Sequence, residues 1–106
     1  MAEHELKIWP APFEAVVDRS KRHEIRRADR PFAVGDVLVL REWEPEREWT
    51  GDGHRLMPQT DYNGYTGRWV QVRVTYVTQP GTWGLPADLC VMTIAVDAVC
   101  LRGEWR

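Results

Sequence analysis

Apolar and polar residues alternate along most of this chain, with one short stretch where the period lengthens to that of a helix. Leu6 and Ile8 alternate with Glu5 and Lys7, so residues 4 to 9 read as a first strand, ended by Trp9-Pro10. Phe13, Val16 and Val17 follow at i, i+3 and i+4 and mark the apolar face of a helix over about residues 11 to 19. Pro12 fits its first turn, where a missing N–H costs nothing. So short a helix must be held by packing rather than by propensity.

Residues 22 to 27 read as a second, charged strand. Strand side chains repeat every two residues, so Glu24 and Arg26 share one face and His23 and Ile25 the other. Residues 28 to 32 are a loop, and Val34-Gly35-Asp36 turns the chain into Val37-Leu38-Val39-Leu40. That unbroken apolar run fits a strand covered on both faces. Arg41-Glu42-Trp43-Glu44 resumes alternation and is expected to lead out of the core. Residues 45 to 67, rich in glycine and polar residues, read as a long loop or as two strand extensions joined by a hairpin tip. Residues 68 to 78 alternate cleanly, with Val70, Val72, Val74 and Tyr76 expected on one face and Gln71, Arg73 and Thr75 on the other. A Gly/Pro loop carrying Trp83 follows. Residues 89 to 96 form another strand, and Val99-Cys100-Leu101 adds a last one or continues it.

The order strand, helix, then several strands predicts an α+β, mainly β fold: a small, partly closed barrel with one N-terminal helix flanking an opening. The 106 residues fit a single domain, 1 to 106, with residues 46 to 63 as an insert or long hairpin loop.

Composition adds little, but charge distribution adds more. The net charge of −2 argues against a general polyanion binder. Residues 19 to 30 nevertheless hold Arg19, Lys21, Arg22, Arg26, Arg27 and Arg30 against Glu24 and Asp29, whereas residues 42 to 48 are acidic. Cys90 and Cys100 lie among apolar residues without metal-site spacing, and His4, His23 and His54 form no metal constellation. No cofactor is called for. The charged N-terminus is unlike a signal peptide and no apolar run reaches membrane-spanning length, so a reducing, cytoplasmic setting is the expectation.

The candidate chemistry lies in Lys21-Arg22-His23-Glu24-Ile25-Arg26. Lys21 offers a mobile point charge to a phosphate. Arg26 offers a planar fork to a phosphate or a base edge, and Glu24 an acceptor for an exocyclic amino group. Trp9, beside the helix start, is placed to stack on a base, unless it belongs to the core. Arg27 and Tyr65 complete the expected nucleic-acid contacts. Tyr65, Tyr62, Trp49 and Arg68 form a second wall or fold the long loop onto the barrel. If the site turns over a substrate, Lys21 and Glu24 are the catalytic candidates. A carboxylate beside an amine favours its charged form, however, which opposes its use as a nucleophile.

Lys21, Glu24 and Arg26 reproduce most of a G-x-K-x-x-E-x-R signature, and in this the chain resembles the ASCH domain, a branch of the PUA-like superfamily. His4-Glu5-Leu6-Lys7-Ile8-Trp9-Pro10, Phe13, Glu24-Ile25-Arg26, Phe32 with Val34-Gly35-Asp36 and Leu38, Arg41-Glu42-Trp43 and Tyr65-Thr66-Gly67-Arg68 resemble the bacterial and phage subgroup DUF3850. The likeness spans nearly the whole chain except residues 46 to 63. Two positions depart from it. Arg19 stands where the signature has glycine, a residue that would relieve a left-handed helix end, and the loop before Tyr65 is longer. The resemblance implies a PUA-like β-barrel whose cleft, between the first helix and the sheet, accepts RNA, another single-stranded nucleic acid or a modified nucleotide. Some relatives hydrolyse acylated cytidine and others are described as nucleases. The amidohydrolases match at Lys21 but carry threonine where this chain has Glu24. Binding is therefore the favoured reading, with amidohydrolase or ribonuclease as the alternative, and a protein partner at the 46–65 loop as a third.

Overall fold

The computed structural model describes residues 1–44 and 64–102. The chain runs β1 (Glu3–Ile8), α1 (Pro10–Val17), β2 (His23–Arg27), β3 (Val37–Trp43), β4 (Tyr65–Thr78) and β5 (Leu89–Cys100). The strands form one five-stranded sheet in the order β1-β3-β4-β5-β2. Only β1 and β3 pair in parallel; the other neighbours are antiparallel. The sheet curls into a half-barrel whose two edge strands, β1 and β2, approach each other, and Arg26 of β2 donates from Nη2 to the Lys7 carbonyl of β1 at 2.7 Å. The α+β, mainly β expectation holds. Residues 46 to 63, with Trp49, His54 and Tyr62, lie outside the described residues.

Helix α1 fills the hollow of the curl. It starts one residue earlier than its apolar spacing implies, because Pro10 takes the first helical position and the extended Trp9 its cap. Phe13 and Val16 are fully buried with Leu38, Leu40, Val70, Val72 and Met92. Burying a phenylalanine contributes about 1.5–3 kcal/mol, so this single turn anchors a helix too short to stand alone.

The helix ends at Val17, not at residue 19. Asp18 caps it, and Arg19 turns left-handed at φ 67°. The Lys21 N–H then reaches back to the Ala15 carbonyl at 3.0 Å. Arg19 thus keeps the backbone that the signature glycine would take, at the cost of a Cβ in that region.

Two other expectations are corrected. Tyr76 does not face inward with Val70, Val72 and Val74. The pairing of β4 with β5 shifts between Val74 and Tyr76, which leaves Thr75 unpaired and reverses the phase. Tyr76 is therefore exposed, and Val77 packs on the core instead. Of the alternatives left open, Tyr65–Gly67 extend β4, and the last strand segment continues β5 unbroken to Cys100. Glu42 does not leave the core: it follows Leu38 and Leu40 on the inner face and is buried. The run Leu38-Val39-Leu40 is buried on both faces, as its composition predicts.

Asp36 ties the N-terminus to the start of β3. Its carboxylate accepts from the Ala2 N–H at 3.0 Å, the Ala33 N–H at 3.0 Å and the His4 ring at 2.8 Å. Burial alone would raise this carboxyl, but the bonds from Ala2, His4 and Ala33 outweigh it and hold it below the usual range.

Two stability predictions follow from these contacts. Arg19→Gly should raise unfolding stability by about 0.5–1 kcal/mol in urea melts, the left-handed strain outweighing the added chain entropy. Asp36→Ala should cost about 2–3 kcal/mol at pH 7. Because the native carboxyl lies below the roughly 3.9 of an unfolded aspartate, this contribution is present above about pH 4. It is lost as pH falls through the native value, so the gap between wild type and variant should close on acidification.

Candidate functional site

The left-handed turn at Arg19 and the pleat of β2 bring Lys21, Glu24 and Arg26 together. Glu24 is buried on the inner face of β2, and its two oxygens take different cations. Lys21 Nζ donates to Oε1 at 2.7 Å, and Arg26 Nε donates to Oε2 at 2.9 Å. The side chains of Lys21 and Arg26 are 23% and 24% exposed, so the cations stand between the buried carboxylate and water.

Each cation also covers a sheet edge. The Ile94 N–H bonds the Arg22 carbonyl, and the Ala28 N–H bonds the Asp88 carbonyl. Antiparallel pairing alternates, so Arg22, Glu24, Arg26 and Ala28 turn their backbones to β5, while His23, Ile25 and Arg27 turn theirs to the free edge. On β1 the bond from Val37 N–H to the Ala2 carbonyl leaves Glu3, Glu5 and Lys7 facing outward by the same reasoning. Lys21 Nζ also donates to the His23 carbonyl, and Arg26 Nη2 to the Lys7 carbonyl. One carboxylate therefore orients two cations onto the two edges of the open seam.

Beside this network lies an open groove of about 370 Å³, lined by Lys7, Ile8, Trp9, Pro12, Glu24 and Arg26 among others. Trp9 is 62% exposed, so it is not a core residue. Arg26 Nη1 has no protein acceptor among the described residues.

The other expected contacts lie elsewhere. Tyr65 sits on the outer sheet face, where the Arg41 guanidinium lies 3.9 Å and the Lys7 ammonium 5.9 Å from its ring centre. Lys7 also stands 4.4 Å from the ring centre of Trp43. Arg27 is exposed on the outward phase of β2 and borders a different hollow, together with Arg26 and Arg30. Arg41 and Arg73 face outward and pair with Glu5 and Asp97. Trp83 is 93% exposed at the tip of its loop.

Another buried carboxylate, on β3, escaped the sequence reading. Glu42 receives both Nε and Nη2 of Arg68 at 2.8 Å and the Thr66 hydroxyl at 2.8 Å. Arg68 also donates to Glu14 at 2.6 Å and lies 4.9 Å from the ring centre of Phe13. The bonds from Glu42, then Glu14, push the already high guanidinium further up. The signal was phase: Glu42 shares the parity of Leu38 and Leu40, and Arg68 that of Val70 and Val72. This cluster holds α1 to β3 and β4. Among the described residues no three His, Cys, Asp or Glu side chains gather as metal ligands.

A curled sheet with a charged seam beside an exposed tryptophan defines a small β domain that presents polar chemistry at the opening of its curl. The chain belongs to the DUF3850 family, whose model, described as a domain of unknown function, matches residues 3–94. It is also 32% identical over 80 residues to a protein of Escherichia phage P2 described as an uncharacterized 12.9 kDa protein in the GpA 3′ region. That match covers 76% of this chain and 58% of the phage protein.

Glu24→Ala should destabilise the fold by about 2–3 kcal/mol in urea unfolding. This is below the roughly 3–5 kcal/mol of a fully buried pair, since both cations keep access to water. Glu24→Gln, which retains one acceptor, should cost less.

Proposed function

We propose that this protein is a nucleic-acid-binding module, of the ASCH and PUA-like kind its sequence resembles, that takes RNA or a modified nucleotide into the groove beside Trp9. The observation that carries this reading is the arrangement around Glu24. A buried carboxylate holds Lys21 and Arg26 about a quarter exposed, and Glu24 and Arg26 line a groove that also carries an exposed indole, while Lys21 lines a neighbouring hollow with Arg19 and Arg22. Arg26 Nη1 is free for a phosphate or a base edge, and Trp9 supplies a stacking surface worth about 1–3 kcal/mol per base. The site's cations are held by protein acceptors before a ligand arrives, which lowers the ordering cost of binding.

The enzymatic alternative asks more of Lys21. Its ammonium donates to both Glu24 and the His23 carbonyl, an arrangement suited to a fixed cation rather than to a nucleophile. A cytoplasmic setting belongs to the same reading, with Cys90 and Cys100 not joined in a disulfide. Among the described residues no helix is long and apolar enough to cross a membrane.

Titration with short single-stranded RNA at 50 and 200 mM salt tests the proposal. Affinity should fall steeply with salt, by about 0.7 log units per log unit of salt for each phosphate contacted. Trp9→Ala should weaken binding roughly tenfold while leaving that slope unchanged, because stacking carries no charge. Absence of binding at low salt to RNA, DNA and nucleotides alike would remove the reading. Deacylation of acetylated cytidine by wild type but not by Lys21→Ala would replace it with the enzymatic one.

A further inference from the structure

We infer that the hollow on the far side of Arg26 is a second nucleotide subsite, so that the ligand is a single strand of at least two nucleotides rather than a free nucleoside or mononucleotide. The inference rests on the nucleic-acid reading and extends it to a surface that reading does not use.

The second hollow measures about 360 Å³, almost the volume of the groove beside Trp9. The two share Ile25 and Arg26, so they are neighbouring compartments divided by one strand segment. Each is at the low end of ligand-pocket volumes, roughly 300 Å³ and above. Each has room for one small unit, and two such compartments on one line favour a repeating ligand.

The chemistry of the second hollow is that of a single-strand platform. Leu6, Phe32 and Leu89 supply apolar and aromatic lining. Arg26, Arg27 and Arg30 stand around it against one carboxylate, Asp29. Arg27 is exposed and has no ion pair among the described residues. Arg30 reaches Asp29 only at 3.9 Å, with both side chains substantially exposed at 42% and 67%. Such a pair is worth little, so both arginines remain available to an incoming phosphate. Arg30 also lies 5.8 Å from the centre of the Phe32 ring, which places a cation next to an aromatic face, the combination single strands bind.

Between the compartments, Ile25 is 52% exposed and turns its N–H and C=O to the free edge of β2. A donor and an acceptor fixed on one residue match the edge of a base, so the divider also offers hydrogen bonds. An extended acidic peptide is the competing ligand for a free strand edge beside arginines. The aromatic linings of both compartments favour the nucleic acid.

Calorimetric titration with uridine and adenosine 5′-monophosphates, with the matching single-stranded tetranucleotides and with a tetraglutamate peptide tests the inference. The tetranucleotides should bind wild type at least tenfold more tightly than the monophosphates. Arg27→Ala/Arg30→Ala, both at exposed positions, should reduce that ratio to about twofold and lower the salt slope for the tetranucleotides by about one. Arg73→Ala, on the outer face, should leave the ratio at its wild-type value. A wild-type ratio near one, or an unchanged ratio in the double variant, would overturn the inference while leaving the first groove standing. Tighter binding of the peptide than of the tetranucleotides would overturn it in favour of a peptide edge. Failure of every nucleotide to bind would remove the parent reading as well.

Discussion

The Glu24 carboxylate is the constraint around which the open side of this sheet is organised. A buried charge is costly unless fully paired, and Glu24 meets that condition by drawing in one lysine and one arginine. Its position on the inner phase of an edge strand then decides where those cations end: one over the edge of β2, the other across the seam on β1. The arrangement depends in turn on the backbone reversal at Arg19, which returns Lys21 to the strand that follows it. A short helix, a strained residue and a five-residue strand thus cooperate to place three functional groups.

The Glu24 and Glu42 clusters differ in what lies beside them. Around Glu42 the guanidinium of Arg68 is shared among two carboxylates and a phenylalanine face. These contacts join the helix to the sheet. Around Glu24 the Arg26 side chain lines a groove together with the exposed indole of Trp9. The neighbouring groove and indole, rather than net charge or unpaired nitrogens, distinguish the Glu24 cluster from the Glu42 cluster.

Much of the fold was legible because period-two and period-3.6 patterns are local. β1, α1, β2 and the apolar run of β3 follow directly from residue spacing, and so does the shared face of Glu24 and Arg26. Phase failed where pairing intervened. Nothing in residues 68 to 78 announces that Thr75 will be unpaired, because a bulge is set by the partner strand and not by the strand itself. Glu42 and His4 carried a readable signal, since both lie in phase with buried neighbours, but charge or terminal position argued against burial. Their partners, Arg68 and Asp36, lie 26 and 32 positions away along the chain. The left-handed turn was visible only through likeness to a glycine signature, as arginine by itself gives no hint of positive φ.

The capped edges have a further consequence for the solution behaviour of the protein. A half-barrel leaves two strands with unpaired backbone groups, the usual template for uncontrolled strand addition between molecules. Here a carbonyl on each rim already accepts from a long cationic side chain, and any neighbour aligning there would meet positive charge before it found an acceptor. The side chains that Glu24 draws to the seam therefore also guard it against strand addition.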